Sequence, residues 1–395
     1  MTHDGIQWLR RLMRWLKSVG ILVVLGTGLV PPIWASDYSQ VTGPCGLVFP
    51  RDHGPHDDYK VEWWYYTGNL KTEEGRRLGF QLTFFRSRLV PPGRENGLRV
   101  PASGWRAQNV ILGHAAVSDL SGERFYHAKS AARATLGMAR AETASGRTSV
   151  MLKNWSMAIG PDGHRLFADA PEFGIRLLLR PAKPPVPHGD DGYSRKGSTP
   201  ERASCYYSIT RLMTEGTVSL KDVTFPVTGL AWMDHEFSTA PLEPGLAGWD
   251  WFSIHLSDGA DVMIYLLRSP DGSFHPASSG TFVDRDGRSR HLGRDEFRVT
   301  PDAVWKSPHS GAVYPSKWRI DINPLNLHLK GGANIPDQEM ATGGAAGVIY
   351  WEGSVSFTGS RSGNPLSGEG YVELTGYAEP LNVLSEDGKD RRSPR

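Results

Sequence analysis

The chain of 395 residues holds only two cysteines, Cys45 and Cys205. Two distant thiols make no zinc site. In an exported protein they could pair, but a chain this long needs no staple, and the expectation leans to free thiols. No sign of charge dominates: 44 Lys and Arg face 42 Asp and Glu, a net charge of +2, and loss of residues 1–35 leaves about −1. That balance argues against a nucleic-acid partner and against an electrostatic membrane clamp. After Val30 no apolar run approaches the roughly 20 residues of a membrane helix, so no integral span is expected in the mature chain. Catalytic signatures are missing too. There is no G-x-S-x-G elbow. His235-Glu236 is followed by Phe237, Ser238 and Thr239, without the second zincin histidine. No Walker or dinucleotide glycine pattern opens a helix, and the expectation is no metal and no cofactor. Period 3.6 is scarce, with one candidate helix at Ser130 to Ala141.

Aromatic residues are plentiful, and the chain is organised around them. Val61 to Arg86 reads VEWWYYTGNLKTEEGRRLGFQLTFFR. Four bulky, β-favouring rings at Trp63 to Tyr66 suit a strand. Glu73, Glu74 and Gly75 supply a turn, and Phe80, Leu82 and Phe84 return on one face at period two. Trp249 to Arg268, reading WDWFSIHLSDGADVMIYLLR, has the same plan. Trp63 matches Trp249, Tyr66 matches Phe252, Leu70 matches Leu256 and Arg86 matches Arg268, as an ancient duplication of two similar β domains would give.

The ends and the texture set the organisation. Arg10, Arg11, Arg14 and Lys17 precede the apolar run Val19 to Val30, and Ala35 offers a small residue for cleavage. Residues 1–35 read as a signal peptide, with an uncleaved anchor as the other reading, and a periplasmic or secreted address follows. Short strands with Gly, Pro and Asp-Gly turns fill 36–380 and argue for barrels or sandwiches. Pro181 to Arg202, with four prolines before Tyr193, is a loop and a candidate lid. Leu242 to Gly248 is the best boundary, dividing an N-terminal domain, 36–240, from a C-terminal domain, 241–380. Residues 381–395 form a charged, frayed tail.

Three sets of residues could carry chemistry. His53, His56, Asp57 and Asp58 are crowded enough to raise a metal, against the simpler reading of a polar entry loop. Trp232-Met-Asp234-His235-Glu236-Phe237 gathers two carboxyls and an imidazole between apolar neighbours, near the boundary. A desolvated carboxyl there could donate a proton near neutrality, or the cluster could tie the domains together. Glu62 shares a face with Trp64 and Tyr66, and Asp250 with Phe252 and Ile254. A carboxylate on an aromatic face needs a partner, and Arg86 and Arg268 are candidates for structural salt bridges. His114, in an apolar strand, reads as a satisfied core histidine. Catalytic candidates are therefore Asp234, His235, Glu236 and Asp250. Candidate ligand-binding residues are Glu62, Trp64, Tyr66, His114, Trp232, Trp249 and Trp251, since lipocalin-type barrels line apolar cavities with such rings.

In order along the chain, HxxYKVEWWYYTGNL, GHAAVSD, CYYSITRL, GLAWMDHEFS, GWDWFSIHLSDG, GTFVDRDG, YPSKWRI, YWEG and GYVELTGY resemble the carotenoid hydratase/AttH-like family, whose members are often labelled predicted secreted hydrolases or lipocalin-like proteins. The resemblance implies an all-β fold of two lipocalin-like antiparallel barrels side by side, with an apolar small-molecule ligand in and between them. It implies two functions. One is a secreted carrier of a lipid-like or polyene ligand, with ABC transporter components as partners. The other is a cofactor-independent hydratase of the carotenoid 1,2-hydratase type. In that mechanism Asp234, Glu236 or Asp250 protonates an isoprenoid alkene, aromatic faces stabilise the cation, and His235 orients or deprotonates water.

Overall fold

The computed structural model describes residues 38–92, 107–240, 242–341 and 348–381, which lie in one compact unit. The expected leader, and the expected tail from residue 382 on, fall outside the described residues. Thirteen strands make the first sheet: β1 Val61–Lys71, β2 Arg77–Arg88, β3 Asn109–Asp119, β4 Arg124–Arg133, β5 Ala139–Ala144, β6 Arg147–Leu152, β7 Trp155–Gly160, β8 Gly163–Asp169, β9 Phe173–Pro181, β10 Val186–Pro187, β11 Tyr193–Arg195, β12 Ala203–Leu220 and β13 Val223–Ser238. Ten make the second: β14 Gly248–Leu256, β15 Asp261–Arg268, β16 Ser279–Val283, β17 Ser289–Leu292, β18 Phe297–Lys306, β19 Val313–Ile322, β20 Leu327–Ala333, β21 Glu339–Met340, β22 Tyr350–Arg361 and β23 Asn364–Thr375. Both sheets are antiparallel and curled, the first into a barrel and the second into a half-barrel, so the all-β, lipocalin-like expectation holds.

The two aromatic hairpins occupy the same place in their sheets. β1 lies between β2 and the last strand of its sheet, β13, and β14 lies between β15 and the last strand of its sheet, β23. Gly75 makes the first turn at φ +85°, where a side chain would be strained. The helix expected at Ser130 to Ala141 does not form. Its alanines favour a helix locally, but Ala131 and Ala132 pair with β3 inside β4, and Ala139 and Ala141 with β6 inside β5, a tertiary override of local propensity.

Strand alternation sorts the side chains into two compartments. The inner face of the first barrel is packed with Trp64, Tyr66, Phe80, Leu82, Phe84, Trp155, Leu177, Tyr207 and Met233. Fully burying a side chain of this kind is worth roughly 1.5–3 kcal/mol, so the interior is a filled core. The outer faces of the two sheets meet in a seam. There Tyr65, Tyr206 and Trp232 of the first sheet pack on Trp251, Met263, Tyr265, Leu267 and Tyr371 of the second. Tyr65 and Trp251, equivalent positions of the two hairpins, meet edge to face at 5.1 Å. Close approach requires Gly79, because any Cβ there would strike the Tyr371 hydroxyl and crowd Ser354.

The cysteines are bonded, which corrects the leaning towards free thiols. In the coil before β1 the Cys45 amide donates to the carbonyl of Asp191, in the turn between β10 and β11, and Cys45 forms a disulfide with Cys205 of β12 across 160 residues of sequence. A coil without periodicity gave no sign of that packing.

Candidate functional site

β13 carries Asp234, His235 and Glu236 in succession, so they cannot share one compartment. Asp234 and Glu236 face the seam and His235 enters the first barrel. The tight three-residue cluster expected from the sequence is thereby divided.

Inside the barrel His235 Nε2 lies 2.9 Å from Glu62 Oε1, and His56 Nδ1 reaches the same oxygen at 2.8 Å. Arg86 Nε donates to Glu62 Oε2 at 2.8 Å, and its other amino groups donate to Asp57 Oδ1 at 2.6 Å and the His56 carbonyl at 2.7 Å. Tyr207 bridges His235 Nδ1 at 3.1 Å and His53 Nδ1 at 2.7 Å. Trp64 stacks on His235, and Phe237 on His56. Burial disfavours ionised Glu62, but Arg86 and the two histidines outweigh it and hold the carboxyl below its ordinary range. Burial likewise opposes charge on His56, yet bonds to Asp52 and Glu62 raise its pKa. Desolvation lowers the pKa of His235 in spite of Glu62.

His56, Glu62 and His235 offer ligand atoms within 4.8 Å of one another, and two imidazoles with a carboxylate can hold zinc. Both nitrogens, however, sit at hydrogen-bond distance from one carboxylate oxygen, while Arg86 holds the other. The set fits a compensated charge network better than a cation. The crowded loop thus enters through His53, His56 and Asp57, together with Asp52 rather than Asp58. Tyr66 belongs to the same interior, its hydroxyl 2.9 Å from His164 Nδ1.

The seam holds a different arrangement. Asp234 is buried and receives hydrogen bonds from Trp232 Nε1 at 2.6 Å, from Tyr206 Oη at 2.9 Å and from Ser208. Trp251 Nε1 donates to the Tyr206 hydroxyl at 3.0 Å. Behind Ser208 stands His188, 2.6 Å away through Nε2 and bonded to Thr281 through Nδ1 at 2.8 Å. Burial pushes Asp234 up to about 7, although its three donors favour the ionised form. The carboxyl therefore exchanges a proton near neutrality. Glu236 is tied to Lys196 at 3.0 Å, and Lys196 sits over the Tyr265 ring. The expected loop Pro181 to Arg202 supplies both His188 and Lys196, pinned by the short strands β10 and β11 against β12.

Asp250 does not join Asp234. It faces into the half-barrel, where Arg268 at 3.3 Å and Tyr377 at 3.0 Å hold it, and burial raises it to about 6. The salt-bridge readings of Glu62 with Arg86 and Asp250 with Arg268 both stand. His114 bridges the seam, its Nδ1 2.8 Å from the Tyr350 hydroxyl, and burial lowers it to about 4. Trp249 Nε1 donates to Glu373 at 2.8 Å. Tyr206, Ser208, His188, Tyr65, Glu352 and Glu373 were not read from the sequence. Tyr65 stood one residue from the chosen Trp64 and Tyr66, and Tyr206 stood in the quoted run CYYS, but period two alone could not say which face met a second sheet. A separate cleft of about 1060 Å³ opens beside Lys71, Arg165, Arg176 and Glu215, away from the seam.

Comparison with known proteins follows this geometry. The model of the AttH-like family matches residues 40–377. A crystal structure of a Nitrosomonas europaea protein described as an AttH is 35% identical, with a TM-score of 0.76, and the match covers 86% of this chain and 99% of that one. Kievitone hydratase of Fusarium solani subsp. phaseoli is 24% identical over 179 residues, 42% of this chain, and the chain spans about half (48%) of that relative's length. The crystal structure of kievitone hydratase from Nectria haematococca shares the fold at 14% identity, TM-score 0.62, over 87% of this chain and 99% of that one. With a family model matched along most of its length, the chain belongs to the AttH-like family.

Proposed function

We propose that the chain is a hydratase-type lyase that adds water to an alkene of an apolar, isoprenoid-like molecule held at the seam, with Asp234 as the proton donor. The observation that carries this reading is a buried carboxyl, poised near pH 7, beside Trp232, Trp251 and Tyr206 and facing the second sheet. Asp234 gives its proton to an alkene carbon as the π pair forms the C–H bond. The neighbouring rings stabilise the cation. Water closes the C–O bond and returns one proton to Asp234, so the carboxyl is regenerated and no separate base is needed. His235, on the other face of β13, takes no part. Likeness to kievitone hydratase supports the reaction class. We place the reaction in two lipocalin-like domains, 36–240 and 241–380, in an extracytoplasmic protein. The Cys45–Cys205 bond supports that address, since disulfides persist in oxidising compartments.

The same bond favours, as a second reading, an exported carrier working with ABC transporter components. Incubation with dihydromyrcene in ¹⁸O-water separates the two. Labelled tertiary alcohol formed by wild type and not by Asp234→Asn supports the hydratase, and binding without product supports the carrier.

A further inference from the structure

One carboxyl at the seam has no role in that scheme. Glu352, on β22, is 1% exposed. Both of its oxygens and the Tyr65 hydroxyl are buried without a well-formed hydrogen bond. Tyr65 and Tyr350 face the carboxyl and ease its charge slightly, but burial, followed by the charge of Glu373, raises its pKa well above the ordinary range. Glu373 is its partner across β22 and β23, on the same face. Only partly buried at the rim of the seam with Trp63 and Trp249, it is pushed up to about 7 by burial. Tyr65 stands directly opposite Asp234 across β1 and β13. Asp234 therefore has three donors, while Glu352, one side chain further along the seam, has none that is well formed.

A buried polar atom left without a partner costs about 1–3 kcal/mol, and native proteins leave few. A pure hydrocarbon in the seam would leave these atoms with only the poorly formed contacts among Glu352, Tyr65 and Tyr350. A hydroxyl would improve this, because its O–H donates to one Glu352 oxygen while its oxygen accepts from Tyr65. Resting on the hydratase reading above, we propose that Glu352 and Tyr65 form the seat of the oxygen that the reaction adds, so that the seam selects an apolar chain bearing one hydroxyl over the parent alkene. Asp234 then protonates carbon, and Glu352 fixes water, or the product hydroxyl, beside Tyr65.

The test is equilibrium binding, followed by tryptophan fluorescence, of dihydromyrcene and its tertiary-alcohol hydrate dihydromyrcenol to wild type and to Asp234→Asn. The alcohol should bind about tenfold or more tightly than the diene in Asp234→Asn, which does not turn the diene over. Glu352→Met fills a similar volume without polar atoms, so it should fold and bring the two affinities within about twofold. Tyr65→Phe should lose part of the preference. Equal affinities in Asp234→Asn, a preference that survives when Glu352→Met is combined with it, or failure of both probes to bind would overturn the assignment. Absence of ¹⁸O-labelled alcohol with the binding preference intact would instead sink the hydratase reading and leave the hydroxyl seat standing.

Discussion

Asp234 and His235 are neighbours in sequence and strangers in space. One accepts three hydrogen bonds in the seam between the sheets, and the other lies against Glu62 in the barrel interior. Substitutions at the two should therefore have different consequences. His235→Phe should destabilise the fold by a few kcal/mol, because Glu62 loses a buried partner, while the pH profile of turnover stays in place. Denaturant melts and rate profiles on the same variant check both halves.

The Glu62–Arg86 pair should dominate acid stability. Glu62 has a folded pKa below its unfolded value of about 4.3. Its contribution is therefore complete above that value and disappears as pH falls through the folded one. Arg86→Leu leaves the buried carboxylate without its main compensating charge, at a cost of about 3–5 kcal/mol. Urea titrations of wild type and variant at pH 7 and pH 3 should show a difference that narrows in acid.

Asp234 should act in the opposite sense. Its folded pKa of about 7 lies above the unfolded value near 3.9. The folded state holds the proton longer, so this group lowers stability as pH rises from about 4 to 7. Asp234→Asn should make stability less dependent on pH across that window. Asp250 and Glu373, raised to about 6 and about 7, contribute in the same direction, so the slope should shrink without vanishing.

Removing the Cys45–Cys205 bond should cost about 2–5 kcal/mol. The bond ties the coil before β1, which carries Asp52, His53 and His56 towards Glu62, to β12 beside Tyr206 and Tyr207. Thermal melts of Cys205→Ser, or of wild type with reductant, should show the loss.

Much of the fold was legible in the sequence. Period two at Trp64, Tyr66, Phe80, Leu82 and Phe84 identified the first barrel's inner face, and the match of Arg86 to Arg268 led to both buried salt bridges. What escaped was tertiary. The alanines of Ser130 to Ala141 favour a helix locally, and strand pairing with β3 and β6 overrode them. Whether an outward ring such as Tyr65 or Tyr206 met solvent or another sheet depended on packing that no local pattern encodes. Glu352 and Glu373 sat within the quoted YWEG and GYVELTGY, but their shared face became evident only from the β22–β23 register.

The most direct measurement is the rate at which wild type and Asp234→Asn convert dihydromyrcene into ¹⁸O-labelled tertiary alcohol, recorded against pH alongside melting temperature. Wild-type turnover should decline above about pH 7 as Asp234 ionises. Asp234→Asn should stay folded and lose about a hundredfold or more of the rate below about pH 7, with the gap narrowing above it as the wild-type rate declines. Undiminished product formation by the folded Asp234→Asn variant would contradict the account.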